Sequence, residues 1–287
     1  MKTFKQYITE ATASRDQAFI DEAEFVFQKL IEDNYRYKLK NYFSDTDKFT
    51  KETKKFVVCV GTVTKNHIYD DLYVVFSPET EKSRGLYVKV SPTARTIALN
   101  VLNDEDRLQK NPVFSALSRD YSNIRLTFIH EFIHYLDSTR IGNERWDSIV
   151  KSKTNMYLAK SNTQIYFNQP LEFNAYYQQG IAKLEGFIKY LFVRFGEGPE
   201  KVRQEIEKEK ERLFADNFND FLKFSLEQNI FPKAYYDSLT EKNKKKLMSR
   251  YYGMYKDIVK PKLEKLELMM DNYERQRREL KKNTRDS

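Results

Sequence analysis

The spacing of apolar residues along the chain changes its period twice. Residues 14–43 carry apolar side chains every three or four positions, which predicts a long amphipathic helix. Its apolar stripe consists of Phe19, Ala23, Phe27, Leu30 and Ile31. Four later segments are rich in β-branched and aromatic side chains, which favour strands. These segments are 54–63, 72–78, 85–91 and 95–102. Only a Pro-Thr-Ala tripeptide separates the last two, so we expect them to form a hairpin.

The helical period returns near Ser122 and continues through most of the remaining chain. Ser122 or Asn123 can cap the start of a helix that extends to about Arg140. Beyond Gly180 the segments are helical and heavily charged, and prolines stand at several of their starts. Strands followed by helices predict an α+β fold, with a small twisted sheet and a mainly helical C-terminal region.

The stretch FIHEFIHYLD, residues 128–137, contains two of the three histidines in the chain. His130 and His134 lie one helical turn apart, so both imidazoles project from one face and can bind one zinc ion. Glu131 lies about 100° around the helix from His130. The opposite face carries apolar side chains, which predicts its burial against the sheet. These side chains are Leu126, Ile129, Phe132, Ile133 and Leu136.

A zinc site of this kind needs a third protein ligand. The metzincin pattern would place a histidine six residues after the second one, but that position is Arg140. His67 is the only other histidine in the chain. Glu172 is the more persuasive choice, because it lies two residues after a proline that suits the start of a second helix. Together with His130 and His134 it would leave a fourth position open for water.

HEFIHYLD and the later PLEFNA together resemble the paired motifs of gluzincin metallopeptidases, in particular the lethal-factor-like branch. The likeness covers roughly residues 85–180. It implies a zincin-like fold, with a metallopeptidase domain over residues 11–180 and a helical C-terminal region over residues 181–287. Ile133 stands where the family often has glycine, and it preserves the helix.

By the same resemblance, His130, His134 and Glu172 bind Zn²⁺. Glu131 is then the catalytic base that activates water, and the substrate is a protein or peptide. The resemblance further implies that the strand nearest in sequence to this helix, over residues 95–102, borders the cleft and binds extended peptide.

Asp137 and Tyr166 each have two alternative interpretations. Asp137 shares the helix face of His130, and it either orients a ligand imidazole or is a polar residue near the helix end. Tyr166 precedes the third ligand by six residues and is a candidate for stabilising an oxyanion, although a packing aromatic is the alternative. Tyr176 and Tyr177 are weaker candidates for the same role.

The first eleven residues, MKTFKQYITEA, resemble the capsid-targeting peptides of internal head proteins in large contractile-tailed bacteriophages. In that family the phage prohead protease cuts after a Leu/Ile-x-Glu tripeptide, and Ile-Thr-Glu10 followed by Ala11 fits this rule. The resemblance implies that residues 1–10 are a removable leader that binds the capsid or scaffold. The protein would then lie in the virion, inside the capsid, and enter the host cytoplasm on injection. A frayed helix end is the alternative.

Composition changes this picture only slightly. The chain has 287 residues and one cysteine, which excludes an internal disulfide framework and suits a reducing cytosol. No apolar run approaches the roughly 20 residues of a membrane span, so we expect no membrane partner. The net charge of +8 is compatible with non-specific contact with DNA, and a solvated lysine-rich surface accounts for it equally well. A basic, DNA-associated structural protein of the virion with a non-catalytic zinc site is therefore the alternative to a peptidase.

Overall fold

The computed structural model describes residues 4–37, 56–59, 71–79, 84–89, 94–109, 112–141, 163–213 and 218–283. These residues form an α+β structure that is mostly helical and contains a small mixed sheet. The chain divides into two compact units. We call Gln17–Gln179 the sheet unit, and Met1–Asp16 together with Gly180–Ser287 the helical unit.

The sheet unit contains a four-stranded sheet in the order β1-β2-β4-β3. Its strands are β1 (Phe56–Cys59), β2 (Asp71–Pro78), β3 (Gly85–Lys89) and β4 (Ala94–Leu102). The predicted hairpin is confirmed, because β3 and β4 pair antiparallel with Tyr87 opposite Ile97. β2 runs parallel to β4 and places Val74 opposite the same isoleucine. The residues of the first predicted strand on either side of β1 lie outside the described residues.

β4 is an interior strand, whereas the resemblance predicts that it borders the substrate cleft. It lies between β2 and β3, so both sides of its backbone take part in the sheet. Among the described residues, β3 is the edge strand on this side of the sheet. The prediction is wrong because strand propensity is a local property, whereas the order of strands depends on pairing between distant segments.

The helix that carries both histidines is α3 (Pro112–Ile141), which follows the short helix α2 (Asp104–Leu108). The predicted start at Ser122 or Asn123 is wrong, because the helix already begins at a proline that suits a first turn. A kink at Asp120, with φ −144° and ψ 43°, interrupts it shortly before the predicted start. The side chain of Asn123 donates a hydrogen bond to Oδ1 of Asp120 at 2.7 Å, inside the helix and not at its N-terminus.

The buried apolar face predicted for α3 is confirmed. Ile129 and Phe132 are fully buried, and Leu126, Ile133 and Leu136 are buried as well. α3 contacts both β3 and β4, whereas the burial of this particular face against the sheet stays a prediction. Each fully buried side chain of this size stabilises the fold by about 1.5–3 kcal/mol. The histidine-bearing face of the helix is therefore fixed by strong packing on the other side.

The first helix, α1 (Phe4–Tyr37), begins earlier than the helix predicted over residues 14–43. It runs without a break through Glu10 and Ala11, so the predicted leader is continuous with it. Residues 38–43 lie outside the described residues. Most of the predicted stripe is confirmed, since Phe19, Ala23, Phe27 and Leu30 are buried, while Ile31 is half-buried.

A buried carboxylate joins the end of β4 to the start of α3. Asp106, which is 1% exposed, accepts hydrogen bonds from Oγ of Ser115 at 2.7 Å and from Nη2 of Arg119 at 2.6 Å. The same guanidinium nitrogen donates to the carbonyl oxygen of Val101 at 2.8 Å. Asn103 and Asp106 also form a reciprocal capping box at the start of α2. This network fixes the first part of α3 relative to the sheet.

The described residues of the helical unit are mostly helical and include no strand. Beyond the end of α5 (Pro170–Glu197) its helices are α6 (Pro199–Leu213), α7 (Phe218–Glu227), α8 (Lys233–Ser238), α9 (Glu241–Met254), a π-helical turn (Tyr255–Val259) and α10 (Lys260–Asn283). Aromatic residues form its core, with the ring of Phe221 lying 4.3 Å from that of Tyr255 and 5.4 Å from that of Tyr251. None of the described helices combines the length and apolar character that a membrane span requires.

We expect Asp106→Ala to lower the free energy of unfolding by about 2–3 kcal/mol at pH 7, because it removes a buried, charge-assisted network. Burial opposes ionisation, but the hydrogen bonds from Arg119 and Ser115 outweigh it and hold the pKa of Asp106 below its ordinary value of 3.8. The lowered pKa means that this contribution is complete above pH 5 and is lost as the pH falls below about 4. Urea unfolding between pH 7 and pH 3.5 measures both effects.

Asp104→Ala is the matched control, because this aspartate lies on the same short helix but its side chain is 88% exposed. It should cost no more than about 0.5 kcal/mol. Equal losses in the two variants, or a loss in Asp106→Ala that does not shrink in acid, would contradict the assigned role of the network.

Candidate metal centre

Two helices bring together the three side chains that the sequence singles out as metal ligands. α3 supplies His130 and His134, and the first turn of α5 supplies Glu172. Oε2 of Glu172 lies 3.5 Å from Nε2 of each histidine. One ligand atom from each of the three residues lies within 4.8 Å of the others. His67, the alternative third ligand, lies outside the described residues.

The spacing of these atoms fits a tetrahedral metal site. Four ligands at 2.0–2.2 Å from a zinc ion lie about 3.3–3.6 Å from one another, and the two measured nitrogen–oxygen distances are 3.5 Å. Two imidazoles and one carboxylate also form a donor set that binds divalent transition metals. The buried His-His-Glu group could therefore hold a metal ion.

A tight turn positions the third ligand. The short helix α4 (Thr163–Phe167) ends just before α5, and the amide of Gln169 donates to the carbonyl oxygen of Tyr166 at 3.2 Å. The amide of Phe173 then donates to the carbonyl oxygen of Gln169 at 2.8 Å. α5 begins at Pro170, which confirms the predicted helix start. The turn brings Tyr166 and the carboxylate of Glu172 close to each other.

The carboxylate is both buried and ionised. Glu172 is 5% exposed, while His130 and His134 are 7% and 6% exposed. Burial would raise the pKa of Glu172, but the charge of His134 and the hydrogen bonds from both histidines outweigh burial and hold it below its ordinary value. An ionised carboxylate is the form that binds a metal ion.

Two tyrosines border the same group. The ring of Tyr176 lies 4.6 Å from the ring of His130, edge to face. Burial, followed by the Glu172 carboxylate, raises the pKa of Tyr166 above its ordinary value and the pKa of Tyr176 to about 12. Both hydroxyls are therefore protonated donors. The weaker candidate Tyr177 is fully buried and does not line the adjacent cavity.

A cavity of about 510 Å³ lies beside His130 in the sheet unit. Its lining combines the start of β3, one face of α3 and residues of α4 and α5. These residues are Arg84, Gly85, Thr127, His130, Glu131, Thr163, Tyr166, Phe167, Tyr176 and Gln179. Glu131 and a candidate ligand therefore face the same space, which is large enough to admit part of a peptide.

Asp137 lies on α3 and contacts α5. Its Oδ2 accepts a hydrogen bond from Nδ2 of Asn174 at 3.1 Å, two residues beyond the carboxylate ligand. The contact joins the two ligand-bearing helices one turn away from His134. The proposed contact of Asp137 with an imidazole stays a prediction.

Gly85 at the start of β3 is a site residue that sequence reasoning missed. A Cβ atom at this position would lie 2.7 Å from Oε1 of Glu131 and 2.7 Å from Cγ2 of Thr127. Such distances are shorter than real contacts, so only glycine allows the strand to approach α3 this closely. The rotamer of Thr127 is held by a hydrogen bond from its hydroxyl to the carbonyl oxygen of Asn123 at 2.8 Å. A glycine at the start of a strand gives no local sign of such an approach.

Comparison with protein-family models, with curated proteins and with solved structures found no match for this chain.

We expect Gly85→Ala to lower the free energy of unfolding by about 1–3 kcal/mol, because the added methyl group overpacks the contact with α3. This loss should fall to less than about 1 kcal/mol in a protein that also carries Thr127→Ser and Glu131→Ala. These two substitutions remove the three atoms that the added methyl group would meet. A mutant cycle measured by urea unfolding gives this coupling.

Gly196→Ala serves as the control, because no atom lies within 4 Å of a Cβ at that helical glycine. Its stability should stay unchanged or rise by up to about 1 kcal/mol. If the effects of these substitutions on the free energy of unfolding simply add, the close approach of Gly85 to Glu131 imposes no constraint.

Proposed function

We propose that this protein is a zinc-dependent metallopeptidase with a zincin-like arrangement of the gluzincin type. The observation that carries the proposal is the buried group of His130, His134 and Glu172, with Glu131 beside it on the wall of a cavity. The donor set and its spacing favour zinc among the divalent transition metals. A zinc ion held there would polarise a peptide carbonyl and make bound water more acidic.

The side chains around the cavity then have distinct roles. Glu131 takes a proton from the attacking water and delivers it to the leaving amine. Tyr166 or Tyr176 donates a hydrogen bond to the oxygen that becomes negatively charged as the carbonyl is attacked. Gly85 leaves room for Glu131, so the base keeps its position against the start of β3. A peptide crosses the cavity past β3 and α4, both of which contribute residues to its lining.

The setting that we propose is the head of a large tailed bacteriophage, from which the enzyme would be injected into a host cell. Support comes from the leader-like sequence that ends at Glu10. Phage capsid or scaffold and the prohead protease are the partners that this setting implies. The bond between Glu10 and Ala11 is helical here, so the helix has to unwind locally before a protease can cut it.

We expect Glu131→Gln to retain stoichiometric zinc and to lower kcat for peptide hydrolysis by about 10²–10⁴-fold, because the amide cannot accept the proton. Glu172→Ala should lower zinc affinity by more than about 100-fold, because it removes one of three ligands. Metal analysis of the purified proteins and a peptide-cleavage assay separate the two effects.

Glu197→Ala is the control for loss of a carboxylate from α5, since its side chain is 62% exposed and distant in sequence from the ligand. It should keep both metal and activity. Wild-type protein without stoichiometric zinc would overturn the whole site. Zinc binding without hydrolysis in wild type would support the alternative, a DNA-associated structural protein of the virion.

In mature virions we expect the protein to begin at Ala11, because the prohead protease cuts after Glu10. Mass spectrometry of purified particles identifies this terminus directly. Glu10→Ala should leave the N-terminus uncut while changing neither zinc content nor peptide hydrolysis. An intact Met1 in wild-type particles would remove the argument for a capsid-targeting leader.

A further inference from the structure

One wall of the cavity carries a positive charge that the proposed chemistry does not use. Among the described residues that line the cavity, Arg84 is the only lysine or arginine. It directly precedes Gly85, the residue that lies against Glu131. Arg84 and the proposed catalytic base Glu131 both line this cavity, so the cation and the base face the same space.

The backbone at this position is fixed by the sheet. The carbonyl oxygen of Arg84 accepts a hydrogen bond from the amide of Asn100 on β4 at 2.8 Å. Its side chain contacts the kink of α3, where Nη1 donates to Oδ2 of Asp120 at 3.3 Å. Oδ1 of Asp120 is already held by Asn123 at 2.7 Å. Both the backbone and the side chain of Arg84 are therefore held in place beside the cavity.

Most of the guanidinium remains able to bind something else. The Arg84 side chain is 56% exposed, and its contact with Asp120 uses only one of five N–H donors. An exposed ion pair of this kind contributes little to stability. A carboxylate can add two parallel hydrogen bonds to the same planar group, an arrangement that arginine favours over lysine. The existing pair does not prevent such binding.

We propose that Arg84 binds a carboxylate of the substrate within about two residues of the cleaved bond, and so selects acidic peptides. This specificity rests on the proposed peptidase function. The carboxylate belongs either to an aspartate or glutamate side chain or to the free C-terminus of a peptide. Both sources present the same planar anion, and a cationic substrate residue at this position would be repelled.

The first test maps cleavage sites in a peptide library with the zinc-loaded full-length protein. The wild type should enrich Asp and Glu within two residues of the cut, and Arg84→Glu should replace that preference with Lys and Arg. A parallel library with amidated C-termini distinguishes the two sources. Loss of cleavage on amidation assigns the carboxylate to the C-terminus, whereas unchanged cleavage beside Asp or Glu assigns it to a side chain.

The second test measures binding without turnover. Zinc-loaded Glu131→Gln should bind a Glu-containing peptide about 10–100-fold more tightly than the matched Gln peptide, and adding Arg84→Gln should reduce that ratio to near one. For C-terminal recognition, the free acid and the amide form the matched pair. Fluorescence anisotropy of labelled peptides reports both affinities. Arg107→Ala is the control, because this arginine pairs with Asp104 and does not line the cavity.

The outcomes separate this inference from the function on which it rests. Wild-type protein that binds zinc but cleaves nothing overturns the peptidase proposal, and the specificity falls with it. Cleavage without enrichment of acidic residues or C-terminal carboxylates overturns the role of Arg84 alone. The role of Arg84 is also overturned if Arg84→Glu keeps the wild-type sequence preference while its zinc content and thermal unfolding stay unchanged.

Discussion

The contact between one buried carboxylate and two buried imidazoles constrains the whole sheet unit. Removing the charge of Glu172 from water costs several kcal/mol unless its partners compensate. His130 and His134 provide that compensation only where α3 and α5 keep their present register, with both Nε2 atoms 3.5 Å from the carboxylate. A slip of one residue in either helix would rotate a ligand by about 100° out of the group. The two helices are therefore fixed at this point.

The rest of the sheet unit serves to hold α3 in that register. α3 contacts β3 and β4, while the Asp106 network attaches its first turns to the end of β4. The kink at Asp120 separates this attached segment from the part that carries the ligands. Arg84 contacts the kink and Gly85 contacts Glu131, so the start of β3 touches α3 at two successive residues. The position of Glu131 and the packing of the strand thus depend on the same short segment.

Local chemistry made much of the site predictable from sequence. The four-residue spacing of the histidines fixes their common helix face, and Pro170 marks the start of the helix that carries Glu172. The strands over residues 85–91 and 95–102 are adjacent in the chain, so their hairpin was also predictable. These features depend on residues within a few positions of one another.

Features that depend on distant segments were not predictable in this way. The parallel pairing of β2 with β4 joins segments separated by more than a hairpin turn, and it makes β4 an interior strand. The residues next to Asp106 in the chain indicate only a capping role at the start of α2. Its partner Arg119, however, lies on the following helix, α3. The extension of α3 back to Pro112 across a kink has the same origin, because tertiary contacts stabilise turns that the local pattern does not favour. Gly85 is required only because another element approaches it.

The helical unit places a physical limit on where the proposed leader can end. Asp16 is 1% exposed and accepts a hydrogen bond from Nη2 of Arg250 at 2.7 Å. Removing one partner of such a pair typically costs about 3–5 kcal/mol, so a cut beyond this aspartate would destabilise the unit. A cut between Glu10 and Ala11 leaves the pair intact and creates a charged amine at the new start of α1. That amine opposes the helix dipole by only about 0.3–1 kcal/mol, which the remaining packing of α1 readily offsets.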